Sequence, residues 1–98
     1  MLEKKIEKAI CEYAKEQGLL VDKFTSPARR GVPDRLFTLP NGRMFFMETK
    51  SLGNVPTPSQ ERDHARRRAH NVTVYWTDNI ALGIQYIADE IAHMKSNA

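Results

Sequence analysis

Asp34, Glu48 and Lys50 are the residues whose types and spacing could do chemistry: two carboxylates and one ammonium within a single short stretch. They lie in GVPDRLFTLPNGRMFFMETK, Gly31 to Lys50, which reads as two short strands around a tight turn. An Asn-Gly pair usually signals a two-residue hairpin loop. That loop would require Pro40 to exchange a pair of backbone hydrogen bonds with Arg43, and proline has no N–H to give. A loop over 40–42 fits better, with proline at the second position of a type I turn and Gly42 in the left-handed position. Leu39 then faces Arg43, and counting outward sets Asp34 opposite Glu48. Because side chains alternate, Asp34, Leu36, Thr38, Met44, Phe46, Glu48 and Lys50 share one face. Phe37, Leu39, Phe45 and Met47 share the other. Both faces are largely apolar, so the hairpin belongs at the centre of a covered sheet.

Like charges facing each other across a sheet are destabilising. At about 4 Å and an effective dielectric of about 20, two carboxylates repel by roughly 4 kcal/mol. A divalent cation between them reverses that sign. Mg²⁺ favours one or two protein carboxylates, with water and substrate phosphate completing its octahedron. Lys50, two residues beyond Glu48 on the same face, can stabilise charge on a phosphate or orient or deprotonate an attacking water. The plainer alternative is a surface hairpin carrying an ordinary Glu–Lys pair. The apolar residues flanking both acids weigh against it.

The elements that must position this hairpin follow in chain order. Leu2, Ile6, Ala9, Ile10 and Tyr13 recur at helical spacing and describe an amphipathic helix ending near Gly18. Glu3 and Glu7 lie together on one flank of its apolar stripe, where either could reach a metal site beside the sheet or simply be solvated. The segment 19–25 reads as a strand with Leu20 and Val21 inside and Lys23 directed toward the site. Ser26 to Val32 is a Pro/Gly/Arg loop. Ser51 to Pro56 is a second loop, able to move over substrate. Thr57-Pro58-Ser59-Gln60 is a helix start: a capping threonine, proline at the first helical position and glutamine three residues after the cap. That helix runs to about Ala69, with Asn71 as a left-handed cap. Its apolar face (Ala65, Ala69) is thin, and His64 reads as a surface or phosphate-contacting residue, since no second histidine lies at ligand spacing. Val72 to Trp76 alternates as a strand. Asp78 or Asn79 caps a last helix with the core stripe Ile80, Ile84, Ile87, Ile91 and Met94, followed by a frayed tail from Lys95.

Ninety-eight residues make one domain with a modest core, and 41% hydrophobic with 28% charged residues is a globular composition rather than a disordered one. No apolar run approaches membrane-spanning length, and MLEKKIEKAI is a charged amphipathic start rather than a signal peptide. The lone Cys11 permits no internal disulfide and no cysteine zinc site, and reads as a small buried or half-buried side chain in a reducing cytoplasm. Net charge is only +3, so the distribution carries more information than the sum. Arg29, Arg30 and Arg35 bracket the acid hairpin, and Arg62, Arg66, Arg67 and Arg68 crowd one helix. Arginine clusters suit phosphate backbones and give salt-dependent binding without sequence readout. Read otherwise, they are a solvated helix face on which Asp63 pairs with Arg67. Basic residues flanking an acidic centre favour nucleic acid.

The order helix, three strands, helix, strand, helix is an α/β layer arrangement. Asp34, then Glu48-x-Lys50 on the next strand, after a helix carrying an acid, resembles the PD-(D/E)xK nuclease superfamily. IEKAI around Glu7, KFTSP, GVPDR, FFMETK and TPSQ with Gln60 resemble its VRR-NUC group, whose stand-alone members are short phage and bacterial proteins. The likeness covers roughly Glu3 to Trp76. It implies a restriction-endonuclease-like αβββαβα fold with a central mixed four-stranded sheet. It further implies a Mg²⁺- or Mn²⁺-dependent endonuclease, with Asp34, Glu48 and the Thr49 backbone carbonyl as metal ligands and Lys50 positioning water. Glu7 would complete the acidic set, with Glu3 in reserve. Gln60 would sit at the edge of the site or act only as the capping-box glutamine. Lys23, Arg29, Arg30, Arg35, Arg62, Arg66 and Arg67 are the candidate DNA contacts. The resemblance also implies a cytoplasmic homodimer acting on branched DNA such as four-way junctions, with no organic cofactor. Two departures from the group stand out: Thr49, where an aliphatic residue is usual, and the His70-Asn71 turn, where glycine is common.

Overall fold

The computed structural model describes residues 1–97. Its elements are α1 (Glu3–Glu16), β1 (Leu20–Lys23), β2 (Arg35–Thr38), β3 (Met44–Thr49), α2 (Pro58–Ala69), β4 (Val74–Thr77) and α3 (Ile80–Ser96). The strands form one mixed sheet in the order β1-β2-β3-β4, antiparallel except for the parallel β3–β4 pair. This is the expected αβββαβα arrangement, with helices on both sides of the sheet.

The hairpin register follows the argument from Pro40. Phe37 pairs with Phe45 and Thr38 with Met44. The Leu39 N–H donates to the Arg43 carbonyl at 2.8 Å, and Gly42 closes the turn at φ 91°. Phe37, Leu39, Phe45 and Met47 are buried on the face covered by α1 and α3, together with Ile6, Ile10, Ala14 and Ile87. α1 and α3 meet closely at Gly83, where an added Cβ would stand 2.3 Å from Ile10 Cδ1. Across the same layer the buried Glu90 carboxylate accepts from Arg43 Nε at 2.6 Å and from the Tyr75 hydroxyl at 2.6 Å. Burial pushes Glu90 up, but those two donors outweigh it and leave the carboxyl below its usual range.

Several expectations are corrected. Leu20 points outward at 65% exposure and Leu19 takes the buried position, because adjacent strand residues cannot both face the core. Leu2 is not on the buried stripe of α1; it precedes the first turn and is 70% exposed. The last strand begins at Val74 rather than Val72; of the two expected caps for α3, Asn79 takes the role, accepting from the Leu82 N–H at 2.8 Å. Lys95 and Ser96 remain helical, so fraying does not begin there; the part of that expectation that falls on Ala98 lies outside the described residues.

Among the described residues, α2 is the helix that lies on the opposite face of the sheet. Its start is the full capping box: Thr57 Oγ1 accepts from the Gln60 N–H, and Gln60 Oε1 accepts from the Thr57 N–H at 2.9 Å. Its end is Asn71 at φ 65°. The expected apolar strip Ala65 and Ala69 is exposed, and the buried residues are Asp63 and His64. α2 therefore seats on the sheet through polar groups. Arg67 lies over the rings of Phe24 and Phe46, and Arg68 donates to the Val74 carbonyl.

Candidate active site

Arg35 pairs with Met47 in the β2–β3 ladder, so the next step outward sets Asp34 against Glu48. The β1 side holds Asp34 too, since its carbonyl accepts from the Phe24 N–H at 2.8 Å. Glu48 lies between β2 and β4, paired with Trp76 across the parallel ladder, and its residue is 1% exposed. The ladder continues past the strand end, with the Lys50 N–H donating to the Thr77 carbonyl at 2.8 Å. Glu48 is thus set within the ladder, and Asp34 and Lys50 are held one residue beyond it by backbone hydrogen bonds.

Each of the two carboxyls is among the groups that shift the other's titration. Burial, then contact with Glu48 and its charge, then the charge of Glu7, push Asp34 up to about 7, against the lowering effect of Lys50. Burial also raises Glu48, partly offset by Asp34 and Lys50. Asp34 is therefore partly protonated near neutrality in the metal-free protein, as a buried carboxyl beside another acid tends to be. Among the described residues no three His, Cys, Asp or Glu side chains converge into a metal cage. What the site offers is two acids, and the buried Oε1 of Glu48 has no hydrogen-bond partner among the described residues. A pair of carboxyls on one face beside an ammonium fits an ion such as Mg²⁺, which takes one or two protein carboxylates and draws its other ligands from water and phosphate.

Glu7 is close enough to act on both acids through its charge, and Glu3 acts on Glu48. The Glu7 carboxylate is nevertheless held by Arg35, whose Nη2 donates to Oε1 at 3.0 Å. Arg35 sits on the α1 face with Phe37, so it serves that ion pair rather than a phosphate. Lys23 pairs with Arg35 in the β1–β2 ladder and shares that face; the β1 residue on the acid face is Asp22, opposite Leu36. Gln60 is engaged in the capping box through Oε1.

The arginines divide into two groups. Arg29, Arg30, Arg62 and Arg66 line an open cavity of about 460 Å³ with Ala28, Ser59 and Asp63. Arg29, Arg30 and Arg62 are exposed and have no carboxylate partner among the described residues. Arg66 and Arg67 both bind Asp63, at 2.6 and 2.7 Å, as the helical spacing of Asp63 and Arg67 suggested. Burial raises Asp63, but these two guanidinium groups outweigh it and lower the carboxyl.

His64 is the residue the sequence reading misplaced. It is 1% exposed, with Nε2 3.8 Å from Glu48 Oε1. Burial, then Arg68, Lys50 and Arg67, hold it below its usual range despite Asp63, so the imidazole is neutral. The signal was present in the helix: Gln60, Asp63, His64 and Arg67 recur at i, i+3, i+4 and i+7, a polar stripe in the position of an apolar one.

An aspartate facing Glu-x-Lys across a central hairpin, in an αβββαβα fold, is the PD-(D/E)xK arrangement. No family model matches the chain. It is 50% identical over 74 residues to the "Putative nuclease p44" of Acyrthosiphon pisum secondary endosymbiont phage 1, covering 74% of this chain and 80% of that protein. A solved VRR_NUC domain superimposes with a TM-score of 0.81 at 31% identity, over 88% of this chain and 94% of that one. A second solved VRR_NUC domain protein shares the fold, with a TM-score of 0.74 at 14% identity over 90% of this chain and 86% of that one. The chain belongs to the VRR-NUC family.

Proposed function

We propose that this protein is a metal-dependent nuclease that hydrolyses DNA phosphodiester bonds, with residues 1–98 forming one nuclease domain. The observation that carries the reading is the Asp34–Glu48 pair, brought together one step beyond the β2–β3 ladder, where burial and the neighbouring carboxylate raise Asp34. Asp34, Glu48 and the Thr49 carbonyl would hold Mg²⁺ or Mn²⁺. Such an ion, when bound, supplies charge neutralisation and a more acidic water. To hold it, Asp34 would release its proton to solvent, leaving two carboxylates on one face as the ligands. Lys50 presents its ammonium on the same face, where it stabilises phosphate charge or positions the attacking water. Glu7 adds negative potential from the α1 side, and the edge of the site near α2 is framed by Gln60. Arg29, Arg30, Arg62 and Arg66 give the DNA backbone a basic approach beside the acids.

The phage relative named as a nuclease supports the substrate class. Branched DNA as the preferred form and a homodimer as the working unit extend the same reading. A symmetric dimer would supply two cuts and a wider basic surface. A bacterial host cytoplasm is the corresponding setting; no described helix is long and apolar enough to cross a membrane.

The test is a cleavage gel with linear, flapped and four-way DNA, in Mn²⁺ or EDTA. Metal-dependent cutting is expected, strongest on the four-way substrate. Asp34→Asn and Glu48→Gln should each lower the rate at least about 100-fold while retaining DNA affinity. Cutting that persists in EDTA would overturn the metal reading, and binding without cutting would leave a catalytically silent DNA-binding module. A monomeric mass by light scattering at working concentration would remove the dimer.

A further inference from the structure

Two buried atoms in this fold lack hydrogen-bond partners and stand opposite each other. Glu48 Oε1 and His64 Nε2 are separated by 3.8 Å, and neither is bonded to any other described residue. Leaving a buried donor or acceptor unpaired is costly, so such atoms call for a physical reason. Here the two orphans are complementary: a carboxylate oxygen that can only accept, and a ring nitrogen that donates in one of its two neutral tautomers. The separation exceeds a hydrogen bond by less than an ångström, within reach of a small side-chain rotation.

The surroundings fix the direction of approach. His64 belongs to the polar stripe by which α2 seats on the sheet, one turn beyond Gln60. Its neighbour Asp63 is already saturated by Arg66 and Arg67. Arg68 is anchored to the Val74 carbonyl on β4, next to the strand bearing Glu48. Arg67 over the Phe24 and Phe46 rings and Arg68 on Val74 thus hold the helix against the sheet beside the imidazole, whose Nε2 faces Glu48.

We propose that His64 is a positioning residue for Glu48, its Nε2–H holding the buried Oε1 so that the other carboxylate oxygen is presented to the ion beside Asp34. This rests on the reading of Glu48 as a metal ligand. Groups that orient metal ligands from behind commonly change ion affinity or activity about 10- to 100-fold when removed. The capping of α2 thereby becomes part of the site: helix start, imidazole and carboxylate form one mechanical chain.

Two measurements test it. The ¹⁵N spectrum of the His64 imidazole in the unsubstituted protein, in EDTA and in Mg²⁺, should report the Nε2–H tautomer in both. The Nδ1–H tautomer in both states would overturn the proposal, whatever any variant does. His64→Ala should weaken Mn²⁺ binding, followed by titration of the DNA-free protein, by about 10-fold or more. His64→Gln, whose amide nitrogen can reach the same point, should recover much of that loss. Equal Mn²⁺ affinity for a folded His64→Ala and the parent, or no recovery with a folded His64→Gln, would overturn it. If either variant fails to fold, the tautomer decides alone. Asp34→Asn and Glu48→Gln separate the levels: if both bind Mn²⁺ like the parent, the metal-site reading itself fails; if they lose the ion and His64→Ala does not, only the positioning role fails.

Discussion

At the residue scale, the metal-free acid pair should leave a measurable mark on stability. Asp34 has a folded pKa of about 7 against 3.8 in a free chain. The native state thus keeps a proton that the unfolded chain has released, and stability falls as pH rises between those values. A full shift of that size corresponds to about 4 kcal/mol, and partial solvent contact reduces it to the order of 2 kcal/mol. Asp63 and Glu90 act in the opposite sense, with depressed values whose stabilisation is lost only as pH falls below the ordinary carboxylate range. Urea unfolding in EDTA should therefore show a midpoint declining from pH 5 to pH 8. Asp34→Asn should flatten most of that slope, and adding Mn²⁺ at pH 8 should raise the parent's midpoint. A slope unchanged by Asp34→Asn would mean that the proton resides elsewhere.

At the element scale, the loop that delivers Asp34 is fitted against the start of α2. Gly31 has φ 79°, and a Cβ there would come within 2.5 Å of the Ser59 carbonyl oxygen. Gly42, at the hairpin tip, has φ 91° but open space around it. Gly42→Ala should cost about 1 kcal/mol from backbone strain alone. Gly31→Ala adds a backbone clash and should cost roughly 1–3 kcal/mol more. Paired chemical-denaturation curves isolate the difference, and equal losses would show that the loop and helix do not bear on each other. These elements also indicate what a sequence reveals. The hairpin register was legible because it depends on local facts: proline lacks a donor, and glycine accepts a left-handed backbone. The side taken by Leu20, expected inside with Val21, was not, since a run of adjacent apolar residues leaves strand parity open until the neighbouring strand is known. Nor was the burial of His64, because periodic polarity normally marks a wet surface. Only the presence of Glu48 opposite converts it into an interior face. Lys23 failed for the same reason as Leu20, its side following from pairing with Arg35 rather than from its own segment.

At the scale of the whole molecule, the sheet separates two kinds of packing. The α1–α3 side is an apolar layer closed by the Arg43–Glu90–Tyr75 network. The α2 side carries the acids and the exposed arginines. If Arg29 and Arg62 each contact one phosphate, Arg29→Ala with Arg62→Ala should lower the slope of log affinity against log salt by about 2. Fluorescence anisotropy titrations of labelled DNA would measure this, with Mn²⁺ affinity unaffected. An unchanged slope would move the DNA path away from this cavity.

A cover riveted by guanidinium groups responds to its medium differently from one glued by hydrocarbon. Arg67 over Phe24 and Phe46, and Arg68 on the Val74 carbonyl, are attractions that dissolved electrolyte can weaken. Concentrated brine would then loosen α2 while leaving the opposite layer firm. A polyanion gripping Arg62 and Arg66 would pull on the same short helix that Arg67 and Arg68 pin down, so the hold on substrate and the seat of the imidazole would share one element.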